Sequence, residues 1–186
     1  MVTIRKYKPT DFKQVRAVCL ATTTKYFTTK QPLLYALYCD YYLLEESNTF
    51  VAVDENDVAV GYVMCALDYK KYISVFKQKY LPIIKKNSLM QYFGCRANFK
   101  KLVALGAQYP SHLHIDILPN FQRIGVGHLL VDALVNHLSQ TESAGVHLCV
   151  GNSNEKGVNF YKKYGFTKIQ GNSAGTYFGI ILKKLD

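Results

Sequence analysis

The order of elements in this sequence predicts an α/β sandwich on a mixed sheet. A strand, helix and strand over residues 111–150 call for a parallel crossover. Paired strands at 49–67 and 166–182 call for antiparallel neighbours. The chain has 186 residues, 49% hydrophobic and 19% charged, which suits one domain with a real core and excludes a disordered tail, a collagen-like repeat or a coiled-coil rod.

Residues 2–7 alternate apolar and polar, a strand pattern, and Pro9-Thr10 then opens a helix from about Asp11 with Phe12, Val15 and Cys19 at helical spacing. A second helix is expected over 33–44. Residues 49–53 and 58–67 read as β-branched strands around Asp54-Glu55-Asn56-Asp57, a hairpin signal. From 69 to 109 the pattern is irregular. Ile73, Phe76 and Tyr80 mark one short helix, and Phe99, Leu102 and Val103 another, around a break at Pro82, so this stretch is expected to be an insertion outside the sheet. Residues 111–118 form a strand that Pro119-Asn120 ends. The helix that follows places Val126, Leu129, Leu130, Ala133, Leu134 and Leu138 on a core stripe, with Val131 and Val135 partly closing the opposite side. A strand at 146–150, a helix at 155–164 ended by Gly165, and strands at 166–170 and 176–182 complete the order.

Five cysteines (Cys19, Cys39, Cys65, Cys95, Cys149), with no C-x-x-C and no Cys/His spacing suited to zinc, favour buried thiols over disulfides or a metal site. The first residues lack the apolar core of a signal peptide and no run is long enough to span a membrane, so a cytoplasmic, soluble protein with no membrane partner is expected. Lys and Arg number 23 against 13 Asp and Glu, a net +10 that predicts an anionic partner: nucleic acid, a membrane surface or a phosphorylated small molecule.

Gln122-Arg123-Ile124-Gly125-Val126-Gly127-His128 lies between a strand and an amphipathic helix. Main-chain N–H groups there point outward at the positive end of the helix dipole, glycine permits close approach, and Arg123 adds a charge, a combination suited to phosphate. The pattern is neither G-x-x-x-x-G-K-[ST] nor G-x-G-x-x-G, which disfavours nucleotide triphosphates and dinucleotides and leaves a pyrophosphate on another carrier.

This turn resembles the Q/R-x-x-G-x-G/A signature of the GNAT superfamily of acetyl-CoA-dependent N-acyltransferases. Residues 154–166, Asn-Glu-Lys-Gly-Val-Asn-Phe-Tyr-Lys-Lys-Tyr-Gly-Phe, resemble its second signature, N-x-x-A-x-x-F-Y-x-x-x-G-F, with Gly157 where alanine is usual. The stretch 69–109 is also faintly similar to the acetyltransferase-like domain of some O-GlcNAc hydrolases. The resemblance implies a three-layer sandwich with a mostly antiparallel sheet and direct acetyl transfer from acetyl-CoA, with no metal, to an unidentified amine. It further implies that the main chain of Ile117 and Leu118 pairs with the pantetheine arm and that the amides from Arg123 through Ile124, Gly125, Val126 and Gly127 to His128 wrap the pyrophosphate, with Gln122 in the same signature. Asn154 would bond the cofactor arm and Tyr161 would protonate the departing sulfur.

An amine of ordinary pKa near 10.4 must lose a proton before it attacks. His112, His114 and Asp116 alternate along one strand and so share a face, with Leu113, Ile115 and Ile117 on the other. A carboxylate beside an imidazole tunes it as a base. His112 is expected in solvent at the strand's entry, while His114 and Asp116 are both candidates for the base.

Between Tyr69 and Ile115 there is no Asp or Glu but nine Lys and Arg, interleaved with aromatic residues. Such a stretch fits an acidic or phosphorylated acceptor, or a solvated helical face. The alternative function is a catalytically silent module of this fold that binds an acidic, nucleic-acid or modified-protein partner. No recognised nucleic-acid motif is present, so nucleic acid is disfavoured, and a monomer or homodimer is expected.

Overall fold

Alternation along the central strands decides what each helix covers. The computed structural model describes residues 1–171 and 175–183. Its strands are β1 (Thr3–Lys6), β2 (Thr49–Val53), β3 (Ala59–Ala66), β4 (Ser111–Ile117), β5 (Gly145–Gly151), β6 (Thr167–Gly171) and β7 (Gly175–Ile181), in the sheet order β1-β2-β3-β4-β5-β7-β6. All described neighbours run antiparallel except β4 and β5, the two strands of the expected crossover.

Val51, Val53, Tyr62 and Met64 pack on one face, and Phe50, Ala52, Val63 and Cys65 on the other. The first face meets α1 (Phe12–Thr22), α3 (Gln31–Tyr38) and the helices of residues 69–105; the second meets α7 (Val126–Leu138) and α8 (Glu155–Tyr164). Burial on both faces explains why β2 and β3 read as unbroken apolar runs. The hairpin between them turns on Asp54, whose Oδ1 accepts from the N–H of Asn56 (2.9 Å) and of Val58 (3.0 Å).

Four expectations change. The helix predicted over 33–44 stops at Tyr38, a short α2 (Lys25–Thr28) precedes it, and 3-10 turns carry the chain on. The chain leaves the helix at Cys39 (φ −130°, ψ −61°), where Asp40 turns to Arg16 of α1 (2.9 Å), and beyond it the buried Glu45 carboxylate accepts from Tyr41 Oη (2.7 Å), Asn48 Nδ2 (3.0 Å) and the Leu67 N–H (2.9 Å), tying the 3-10 turns to the end of β3.

Residues 69–105 are almost wholly helical, as α4 (Tyr69–Val75), a π-helical turn (Phe76–Tyr80), α5 (Leu81–Asn87) and α6 (Leu89–Leu105). Pro82 does not break them, because it sits in the first turn of α5, where a missing N–H costs little. They add no strand, but Tyr72, Ile73, Phe76, Tyr80, Ile84, Phe99 and Leu102 are core. Several cations of this stretch rest on aromatic rings, Lys77 on Phe99 (5.4 Å) within it and Lys101 on Tyr177 (5.5 Å) of β7, which accounts for part of the interleaving.

On α7 the stripe is rotated: Val131 is fully buried and Leu129 is 48% exposed. The expectation of buried thiols holds for Cys19, Cys39 and Cys65 but not for Cys95, which is half-buried, or Cys149, which is exposed near the end of β5. Among the described residues no helix is long and apolar enough to cross a membrane.

Candidate active site

The sheet opens at β4. This strand pairs with β3 from His112 to Ile117, but with β5 only at Ser111 and His112, opposite Val146 and His147. Beyond that point lies a cavity of about 590 Å³ lined by Ile115, Asp116, Ile117, the 122–128 turn and the first half of α8. Leu118 donates its N–H to Val60 O (2.9 Å). Since main-chain groups alternate in an antiparallel ladder, His114 and Asp116 also turn theirs to β3, whereas Leu113, Ile115 and Ile117 turn theirs to the opening. The Ile117 carbonyl accepts from Gln122 Nε2 (2.8 Å), leaving the Ile117 N–H facing the gap. Leu118, expected beside it, is committed to β3.

The turn before α7 is left-handed twice, at Arg123 (φ 64°) and Gly125 (φ 91°). A Cβ at Gly125 would meet nothing within 4 Å, so its backbone demands glycine while its surface stays open. Gly127 has another reason: its Cβ would lie 3.1 Å from the Phe160 ring, so α7 and α8 approach each other through it. The first two amides of α7, of Val126 and Gly127, have no intrahelical acceptor, whereas the His128 N–H already donates to Gly125 O (3.0 Å). Val126 lends only its main chain, because its side chain is core, and Ile124 points outward at 63% exposure. His128 lies edge-on to Phe160 (5.1 Å) at the cavity wall.

Asn154 caps α8 by accepting from the Gly157 N–H (2.9 Å), so its amide nitrogen is what remains for a ligand. A Cβ at residue 157 would stand 2.8 Å from that nitrogen, which explains glycine in place of the usual alanine.

The three polar residues of β4 share a face, as alternation requires. Asp116 Oδ2 accepts from Tyr62 Oη (2.5 Å) and lies 3.1 Å from His114 Nε2. Burial alone would push the His114 imidazole down, but the Asp116 charge and hydrogen bond outweigh it and hold His114 above its ordinary pKa. Tyr38 stacks on its ring at 5.5 Å. His112 does not sit in solvent. Tyr72 meets its ring edge-on at 4.4 Å, and burial holds it neutral, with His147 and His114 adding to the effect.

The profile of the acetyltransferase (GNAT) family matches residues 15–166. The chain belongs to the GNAT acetyltransferase family. Its fold is similar to the crystal structure of SsHAT (TM-score 0.84, 27% identity, 97% of this chain and 98% of that one). It is also similar to the PaiA N-acetyltransferase of Thermoplasma acidophilum, solved in complex with coenzyme A (TM-score 0.63, 14% identity, 100% and 99%), and to Ard1 of Thermoplasma volcanium (TM-score 0.60, 22% identity, 97% of each chain). The latter two likenesses bear on fold alone.

In this GNAT chain Tyr161 is buried on α8 with its ring against Phe160 and Phe166, and its hydroxyl makes no hydrogen bond among the described residues. Burial first, and the Asp116 charge second, keep the phenol protonated. Lys156, in the first turn of α8, lines the same cavity and escapes a reading of the sequence, where it fills a variable place of the second signature. Tyr62 escapes it too, since nothing local distinguishes it from a core tyrosine of β3.

His147 is 1% exposed, and burial pushes its pKa down to about 4 against the opposing pull of the Tyr109 and Ser111 main chain. The unfolded imidazole binds its proton near pH 6.5 and the folded one only near pH 4. Stability from this group is therefore complete above 6.5 and falls as pH drops toward 4, by about 1.4 kcal/mol per pH unit. Urea denaturation between pH 7 and 5 should show a shallower pH slope for His147→Gln than for the parent, by one proton. Equal slopes would contradict the assignment.

Proposed function

We propose that the protein transfers an acetyl group from acetyl-CoA directly to a primary amine. The parting of β4 from β5 beside a phosphate-suited turn carries this reading. An extended amide chain satisfies a free strand edge by β-augmentation, so the pantetheine arm lies against Ile115 and Ile117. Its pyrophosphate lies on the amides from Arg123 to Gly127, where Arg123 and Lys156 supply charge; the His128 N–H, expected among them, is taken by Gly125 O. The Asn154 amide nitrogen reaches the arm.

His114 takes the proton from the ammonium. With Nε2–H donating to Asp116, Nδ1 is its basic atom, and Asp116 positions the ring. The neutral amine nitrogen attacks the thioester carbonyl carbon, and a free β4 N–H facing the gap stabilises the tetrahedral oxyanion. As the C–S bond breaks, the coenzyme's thiolate takes a proton from Tyr161. Holding both reactants in one cleft makes the step effectively unimolecular.

Calorimetric titration with acetyl-CoA and thiol release with a panel of amines test the reading. Binding with thiol release supports it, and salt-sensitive binding to nucleic acid with no acetyl-CoA binding would overturn it. Gly127→Val should weaken acetyl-CoA binding at least tenfold, because its side chain displaces Phe160 and with it the middle of α8. The same titration checks this.

A further inference from the structure

A second cavity, of about 250 Å³, lies on the face of β4 that carries His112 and His114, and the proposed chemistry uses only its edge. Tyr38, Tyr42, Tyr72 and Phe99 wall it, and no Asp, Glu, Lys or Arg lines it among the described residues. At its inner end stand His112 and His147, 8% and 1% exposed, with ring centroids 5.6 Å apart. His112 Nδ1 and His147 Nε2 are buried and have no hydrogen-bond partner among the described residues. Native proteins rarely leave such atoms unmatched.

The tautomer of His147 is fixed by its neighbour. Its Nδ1 lies 3.1 Å from the Tyr109 carbonyl, which can only accept, so Nδ1 carries the proton and Nε2 is a bare acceptor. At the outer end of the same cavity is His114, bonded to Asp116 of the first cavity. His114 is two positions beyond His112 along the strand, a rise of about 7 Å. The site therefore offers a reacting end at His114, tyrosine walls, and a neutral hydrogen-bond acceptor at its other end, where His147 of β5 stands beside His112.

We propose that this cavity receives the acceptor, and that the acceptor is a compact, flat, ring-bearing primary amine whose far end presents an uncharged O–H or N–H to His147 Nε2. The proposal rests on the reading of the protein as an acetyl transferase to amines. A polyamine would bring a second charge to a wall with no carboxylate, and a lysine side chain has no ring or far donor to offer.

The test compares para-hydroxyphenethylamine with phenethylamine, which differ only in the far donor. With acetyl-CoA, kcat/KM from thiol release should favour the phenol by roughly tenfold to a hundredfold, since the parent leaves Nε2 unmatched. His147→Phe should bring the two amines near parity, mainly by raising KM for the phenol. Because that variant can fail to fold, ¹⁵N NMR of the unsubstituted protein is the second measurement. Without acetyl-CoA, the phenol should move the His147 Nε2 resonance and phenethylamine should not. Thiol release with equal kcat/KM for both amines and an unmoved resonance would overturn the cavity assignment and leave transfer standing. Absence of acetyl-CoA binding would overturn transfer instead, and the nitrogen resonance still decides the cavity.

Discussion

Replacing His114 by alanine should lower kcat/KM for acetyl transfer by about a hundredfold to ten thousandfold, the range over which a positioned base acts. The parent's kcat/KM should climb as pH rises through the His114 pKa, which Asp116 holds above its ordinary value of 6.5. In Asp116→Asn the carboxylate is gone and burial acts unopposed, so the imidazole loses its proton at lower pH and the acid limb moves down the scale. That variant should also turn over more slowly, because the ring loses its anchor at 3.1 Å. In His114→Ala the limb itself should vanish. A pH series of kcat/KM over the three proteins checks all of this, and an unmoved acid limb in both variants would remove His114 from the mechanism.

Tyr161→Phe should lower kcat by about a hundredfold or more while KM for acetyl-CoA stays within a few-fold. Phenylalanine keeps the packing against Phe160, Phe166 and Phe178, so the thermal midpoint should scarcely move. The hydroxyl alone is lost, and with it the proton for the departing thiolate. Single-turnover kinetics with acetyl-CoA separate this from slow product release. A variant as fast as the parent would assign that proton to water.

Parts of the site that are local in the chain are legible from the order of residues alone. The 122–128 turn, the start of α8 at Glu155 and the stop at Gly165 depend on neighbours a few residues away, and all three lie where the sequence places them. The common face of His112, His114 and Asp116 follows from the period of a strand. What the sequence hides is set across strands and layers. Tyr62 reaches Asp116 across 54 residues, and His147 faces His112 only because β5 lies beside β4. His112 reads as a strand-entry residue, yet helices from residues 69–105 cover that end of the strand. Likewise Pro82 looks like a break because sequence alone does not show a π-helical turn leading into the next helix.

The parting of β4 from β5 also bears on how the protein avoids sticking to itself. Its outer edge strands are short and carry Arg5 and Lys6 on β1 and Lys168 on β6, which discourages pairing between molecules. β4 has no such guard. It is fourth of seven strands, yet from Leu113 onward one side of it is chemically an edge, with main-chain groups that a neighbouring strand would otherwise take. The protection there is enclosure, because α7, α8 and the glycine turn crowd the opening on one face and tyrosines crowd it on the other. An edge placed in the middle of a sheet is closed to another protein's strand and open to a single thin chain.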